Sequence, residues 1–228
     1  MDGQNEPTAP QDGAILPVSR HTLHGELVER LRDLIIEGKL LPGSRINEGD
    51  LSAKLGVSRT PMREAIKFVA SEGLIELVPG RGAVIRKFTP ADVAEMLEVL
   101  GLLEVAGARA TCRRATAAEI AGVRALHDEM MACYATQDRL EYYKKNQAIH
   151  SALARLSGNR FLADQHQAIQ ARLKRIRFIG NAGQEKWAAA VADHQAIIAA
   201  LEARDEAALA RALNDHFSAT WQRVQAVL

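Results

Sequence analysis

Aromatic residues are scarce in this chain: they make up 4% of its 228 residues, although 47% are hydrophobic. A core of any size must therefore be aliphatic. Cysteine is scarcer still. Cys112 and Cys133 are too few for a disulfide scaffold and too far apart for a CxxC zinc pattern, so both read as buried, reduced thiols. No run approaches the roughly 18–20 apolar residues that span a bilayer, which excludes a membrane partner. The opening MDGQNEPTAPQDG has neither the basic n-region nor the apolar h-region of a secretory leader. The expectation is a cytoplasmic protein. Net charge is nearly absent too, at +1. A balance of that kind argues on its face against a nucleic-acid partner.

The charge is not evenly spread. Residues 1–18 hold three acids and no Lys or Arg. Residues 19–88 hold twelve bases and nine acids, and residues 89–228 seventeen and sixteen. The average hides a mildly basic segment.

The same boundaries separate three compositions. Residues 1–18, rich in Pro, Gly and Asp, read as a disordered arm. From Ser19, Leu23, Leu27, Leu31, Leu34 and Ile35 recur on one helical face until Gly38. Leu41-Pro42-Gly43 is a turn. A short helix through Leu51 to Leu55 stops at Gly56, and Ser58 caps a third helix running to about Glu72. Pro61 is tolerated in its first turn. Leu74–Val78 and Ala83–Lys87 read as strands around Pro79-Gly80-Arg81-Gly82. Beyond residue 88 the chain turns rich in alanine and almost free of proline, which leaves little but helix. Thr89-Pro90-Ala91-Asp92, the capping box at Thr116, Asp138 and Asp205 open helices, and Gly158 and Gly180 close them. The spacing predicts six, at about 90–114, 117–136, 139–156, 159–179, 184–203 and 206–226. The fold class is mainly α: a winged helix-turn-helix over 19–88, then an all-α bundle over 89–228.

Arg59 and Arg63 share one face of the third helix, four residues apart, and Met62, Ala65, Ile66 and Val69 lie on the other. Two guanidiniums near a helix N-terminus suit a major-groove reader, since Arg pairs bidentately with guanine. Ser58 and Thr60 add hydroxyls for phosphate or base edges. Gly80-Arg81-Gly82 looks like a wing tip whose arginine could enter the minor groove. An isolated Arg pair is usually a solvated face. Three helices followed by a Gly-Arg-Gly hairpin make double-stranded DNA the better reading.

Asn146 and His150 lie four apart on one helix, with His194 and His216 on two later ones. Three imidazoles and an amide oxygen could converge on a divalent cation, zinc included. The alternative is scattered capping or surface histidines. His127 reads as a surface residue, His166 as a possible lining of the bundle cavity, and Trp187 and Trp221 as packing.

Leu41-Pro42-Gly43, Val57-Ser58-Arg59-Thr60-Pro61-Met62-Arg63-Glu64-Ala65, Glu72-Gly73-Leu74-Ile75 and Gly80-Arg81-Gly82 resemble the GntR family of bacterial transcription regulators. The resemblance implies DNA contacts by Arg59, Thr60, Arg63 and the wing at Gly80 to Gly82. Gly49 stands where some members carry a further basic contact. The second half resembles the FCD ligand-binding domain of the family's FadR branch. Its Asp/Asn-x-x-x-His and two later histidines correspond to Asn146, His150, His194 and His216. This implies a metal centre, with Asn146 where Asp is commoner. Aligning on Leu103-Glu104 puts Leu100 where many members carry an effector-binding arginine. Arg172, Arg175 or Arg177 could replace it, and a small carboxylate is the implied effector.

The leading expectation is therefore a ligand-responsive regulator: a homodimer on operator DNA, acting as a repressor that its effector releases, as is usual in that family. The competing one is a metal-dependent enzyme acting on a small substrate through His150, His194 and His216.

Overall fold

The computed structural model describes residues 21–228; the arm expected over 1–18 lies outside the described residues. Three helices come first: α1 (His21–Ile36), α2 (Glu48–Leu55) and α3 (Arg59–Ser71). A hairpin of β1 (Ile75–Val78) and β2 (Gly82–Ile85) follows, antiparallel with Ile75 opposite Ile85. Six helices complete the chain: α4 (Pro90–Arg114), α5 (Ala117–Ala135), α6 (Arg139–Leu156), α7 (Arg160–Gly180), α8 (Gln184–Glu202) and α9 (Glu206–Gln225).

The short links among the first elements have local causes. Asn47 caps α2 by accepting the amide of Asp50 at 3.2 Å. Gly56 takes a left-handed φ of 68° and turns the chain directly into α3. Met62, Ala65, Ile66 and Val69 on α3 are buried against Leu27, Leu31 and Ile35 of α1 and against Ile75 and Ile85 of the hairpin. Ser44 to Ile46 add a third edge to the hairpin. The Ile46 amide donates to the Ala83 carbonyl at 2.8 Å, and the Ile85 amide to Ser44 at 2.9 Å. The sequence pattern had shown only a turn there, because three residues are too few for a period.

The bundle helices open on side-chain caps. Thr89 with Asp92, and Thr116 with Glu119, form reciprocal capping boxes. Asp138, Asn159 and Asp205 cap α6, α7 and α9. The core is aliphatic, as the shortage of aromatics required, with Ile149, Leu153, Ile197, Leu201, Leu209 and Leu213 at its centre. Trp187 packs edge-on to Tyr134 and Tyr142 at 4.9 and 5.1 Å. Cys112 is buried and Cys133 only half-buried; both are free thiols.

Helix α7 joins the two groups of elements. Arg175 Nη1 donates to the carbonyls of Ile35 and Ile36 at 3.0 and 3.2 Å, covering the C-terminus of α1. Arg172 lies against Gly73 at the end of α3: a Cβ there would come within 2.7 Å of its Nε. Lys144 of α6 bonds Asp33 at 2.9 Å.

Candidate metal centre and nucleic-acid interface

Helix α3 carries no acid in its first turn, so its N-terminal amides face solvent without a competing charge. Ser58, Arg59, Thr60 and Arg63 are all exposed there. Ser58 is the N-cap residue but makes no side-chain cap bond, which leaves its hydroxyl free of the helix. Arg63 Nε donates to Glu48 at 2.9 Å, so α2 aims it. At the wing, Gly80 and Gly82 have φ of 72° and 82°, values an L side chain resists, and Arg81 between them is exposed. Arg45, Arg59, Arg63, Gly49 and Gly82 line one concavity of about 530 Å³ between α3 and the wing. Arg45 was not singled out from sequence. Its signal was a lone base just after the Leu41-Pro42-Gly43 turn. Gly49 lies beside Arg59: a Cβ there would meet Arg59 Nη2 at 3.4 Å, an ordinary contact.

Inside the bundle, His150 of α6, His194 of α8 and His216 of α9 meet. One ring nitrogen from each lies within 4.8 Å of the others, and all three residues are buried. Asn146 stands one turn before His150, its Nδ2 2.6 Å from His194 Nε2. Two carboxylates orient the rings from behind. His150 Nδ1 donates to Glu104 at 2.6 Å, and His216 Nδ1 to Asp193 at 3.2 Å. Both bonds leave the Nε2 atoms facing inward, as metal-binding imidazoles require.

Burial pushes His216 down to about 4, against the opposing pull of Asp193. It pushes His194 well below the ordinary histidine range, helped by His150 and His216. Burial lowers His150 as well, against Glu104. These are neutral rings, the form that ligates. Burial alone would raise the Glu104 carboxyl, but His150 and His166 outweigh it and hold it well below the usual carboxylate range. The three imidazoles could hold a first-row divalent ion; Asn146 turns its Nδ2 to them, while its Oδ1 accepts from Gln147 Nε2 at 3.2 Å.

Arg177 faces the same space. It is 2% exposed, and its Nη2 lies 3.4 Å from His150 Nε2 and 3.5 Å from His216 Nε2. Its Nη1 has no partner, and no acid bridges it among the described residues. Leu100, at the position where the resemblance suggested an arginine, is fully buried with Leu97, Leu173 and Phe217 and forms an apolar wall.

Three sequence expectations need correction. Arg172 and Arg175 do not line this chamber; α7 turns them outward to the ends of α3 and α1. Only Arg177, two residues on and about 200° round the helix from Arg175, faces in. His127 is not a surface residue: it is buried, with neither ring nitrogen bonded. His166 is buried beside the chamber and lines the neighbouring cleft between α1, α3, α6 and α7 instead, with its Nε2 2.8 Å from Glu104 Oε1. Glu104 itself was missed as a functional residue. It stands 42 residues before Asn146, and no spacing rule links positions on different helices.

Comparison with known proteins matches the two halves separately. Residues 23–85 match the bacterial regulatory proteins of the gntR family, and residues 95–219 match the FCD domain. An HTH-type transcriptional regulator of Streptomyces ambofaciens is 28% identical over 87% of this chain and 83% of its own. The HTH-type transcriptional repressor RspR of Escherichia coli is 25% identical over 86% of both chains. Among solved structures, E. coli McbR/YncC superposes with a TM-score of 0.74 at 19% identity, covering 90% of this chain and 96% of that one. A GntR-type regulator from Rhodococcus sp. RHA1 gives 0.75 at 22% identity, covering 90% and 98%. The family and these relatives are transcriptional regulators, not enzymes, so the metal-dependent enzyme reading falls away. No described helix is long and apolar enough to cross a membrane. With three helices and a hairpin ahead of six further helices, the chain belongs to the gntR family of bacterial transcription regulators and carries an FCD domain.

Proposed function

We propose that this regulator binds operator DNA as a homodimer and is released from it, as a repressor, by a small organic carboxylate. The carboxylate binds beside a divalent metal, zinc by preference, held by Asn146, His150, His194 and His216. Arg177 carries this reading. A buried guanidinium next to a cation site is repelled unless an anion lies between them. A carboxylate supplies that anion, and Arg receives it bidentately. The metal contributes positive charge and open positions for the effector oxygen. Around it, Glu104 and Asp193 fix the rings, and Leu100 and Phe217 exclude water.

Ser58, Arg59, Thr60, Arg63, Arg81 and the glycines beside Arg81 form the DNA-binding set, with Arg45 added. The domain division at residue 88 separates reader from sensor. Differential affinity of the effector for two arrangements of these halves supplies the switch.

The test uses the full chain and duplex DNA from upstream of its own gene. Arg63→Ala weakens specific binding by about 1–3 kcal/mol. The double variant His194→Ala with His216→Ala carries no stoichiometric metal by elemental analysis. Citrate, lactate and succinate are then titrated against the metal-loaded wild type. Saturable binding that Arg177→Met abolishes supports the proposal. Full metal occupancy in the double histidine variant, or carboxylate binding indifferent to Arg177→Met, overturns it.

A further inference from the structure

Helix α4 packs inward through Leu97, Leu100, Glu104 and Ala108 and leaves its opposite face uncovered. Val99 and Leu102 stand on that face, 45% and 67% exposed. Helix α7 flanks it. Met96, Val99 and Ile169 line one groove, and Leu162 reaches Gly107, where a Cβ would meet its Cδ2 at 3.3 Å. Phe161, next to Leu162, is 73% exposed. Phe161 and Leu102 are the two most exposed large apolar side chains among the described residues, in a chain with few aromatics to spare. Apolar side chains gathered on one surface mark a docking site. We propose that the α4–α7 face docks a second copy of this chain, with the two α4 helices antiparallel about a two-fold axis at Leu102.

The partner follows from the charges on α4. Glu95 and Arg109 are exposed and lie seven residues to either side of Leu102, close to two helical turns, so they share its face. Neither has an ion-pair partner among the described residues, whereas Arg113 is held by Glu206. A face with a free acid before its apolar centre and a free base after it complements itself when turned end for end. Antiparallel pairing sets Glu95 of each copy opposite Arg109 of the other, twice by symmetry. Parallel pairing sets Glu95 against Glu95 and Arg109 against Arg109, which repel.

Size and spacing agree with this pairing. Helix α4 has 25 residues and is about 37 Å long. With α7 beside it, the face is of the order of the roughly 800 Å² per partner that stable interfaces bury. Pro90, where the DNA-reading half joins α4, lies twelve residues from Leu102, so the axis sets the two joins about 36 Å apart. One turn of duplex DNA, a common separation of half-sites, is about 34–36 Å. This docking surface rests on the homodimer reading and gives that dimer its contact.

Sedimentation equilibrium on the full-length protein tests this, each variant being checked for native helicity. The wild type is a dimer. Leu102→Asp sets two carboxylates against each other on the axis and dissociates it. Glu95→Arg and Arg109→Glu each weaken dimerisation at least about tenfold. The double variant Glu95→Arg with Arg109→Glu restores opposite charges and regains the dimer, which a merely misfolded variant would not do. A wild type that stays monomeric overturns the homodimer reading and this surface together. Wild-type affinity in Leu102→Asp or in the single charge variants, or a double variant no tighter than the singles, overturns the surface and leaves the homodimer standing on another face.

Discussion

Glu104 is one carboxylate shared by two buried imidazoles. Removing it strands two N–H donors, each at a cost of about 1–3 kcal/mol. Glu104→Ala therefore lowers the urea midpoint of the metal-free protein. It also weakens metal retention by about 10–100-fold, measured by chelator competition, because nothing then holds the His150 ring in place. A variant that retains metal as tightly as wild type would show that Glu104 does not orient the ligand. Arg63 and Glu48 are a different case. Their pair is exposed, so Glu48→Ala changes stability by less than about 1 kcal/mol. Its effect is on DNA binding, because Arg63 loses the carboxylate that aims it. Residues such as Arg63 were legible in sequence because their helix and its partners are contiguous. Glu104 and His127 were not, since their burial depends on helices far along the chain.

At the scale of elements, caps and glycines were the most readable feature. The start of α4 at Pro90 and of α5 at Ala117 follow directly from Thr89-Pro90-Ala91-Asp92 and Thr116-Ala117-Ala118-Glu119. Thr89→Ala costs about 1 kcal/mol in thermal denaturation, through the lost α4 cap. Asp92 and Glu119 have lowered pKa values, caused chiefly by their bonds to Thr89 and Thr116. A lowered carboxyl stabilises the fold above its unfolded pKa and loses that contribution as pH falls through the folded value. Amide protection factors (the observed rate relative to the intrinsic rate at the same pH) at the first turns of α4 and α5 should therefore fall on acidification below about pH 4. Unchanged protection there would mean the caps do not hold these ends. The third hairpin edge was illegible for the opposite reason: Ser44 to Ile46 are held by pairing with β2, not by any preference of their own.

At the scale of the whole molecule, α7 decides how reader and sensor sit together. Arg175→Ala removes the donor from two α1 carbonyls, and Gly73→Ala forces a side chain into a φ of 83° against Arg172. Both changes should leave metal content intact and raise exchange at the end of α1 or of α3. In Arg175→Ala the carboxylate should bind but release DNA poorly, seen by comparing DNA affinity with and without it. A full response would show that the junction does not transmit. DNA affinity itself should fall with salt at a slope of roughly −0.9 per phosphate neutralised. The sequence revealed both halves but not their docking, because Arg172, Arg175 and Arg177 look alike until the helix phase is known. The crowding of that helix limits how the protein can diverge. Within three residues, Arg175-Ile176-Arg177, one arginine clasps α1 and another faces the sensor chamber. A descendant tuned to a different effector has little freedom to rewrite α7 without loosening its grip on the DNA-reading half. New specificity has to be acquired on α4, α8 and α9, whose chamber faces carry no such second duty.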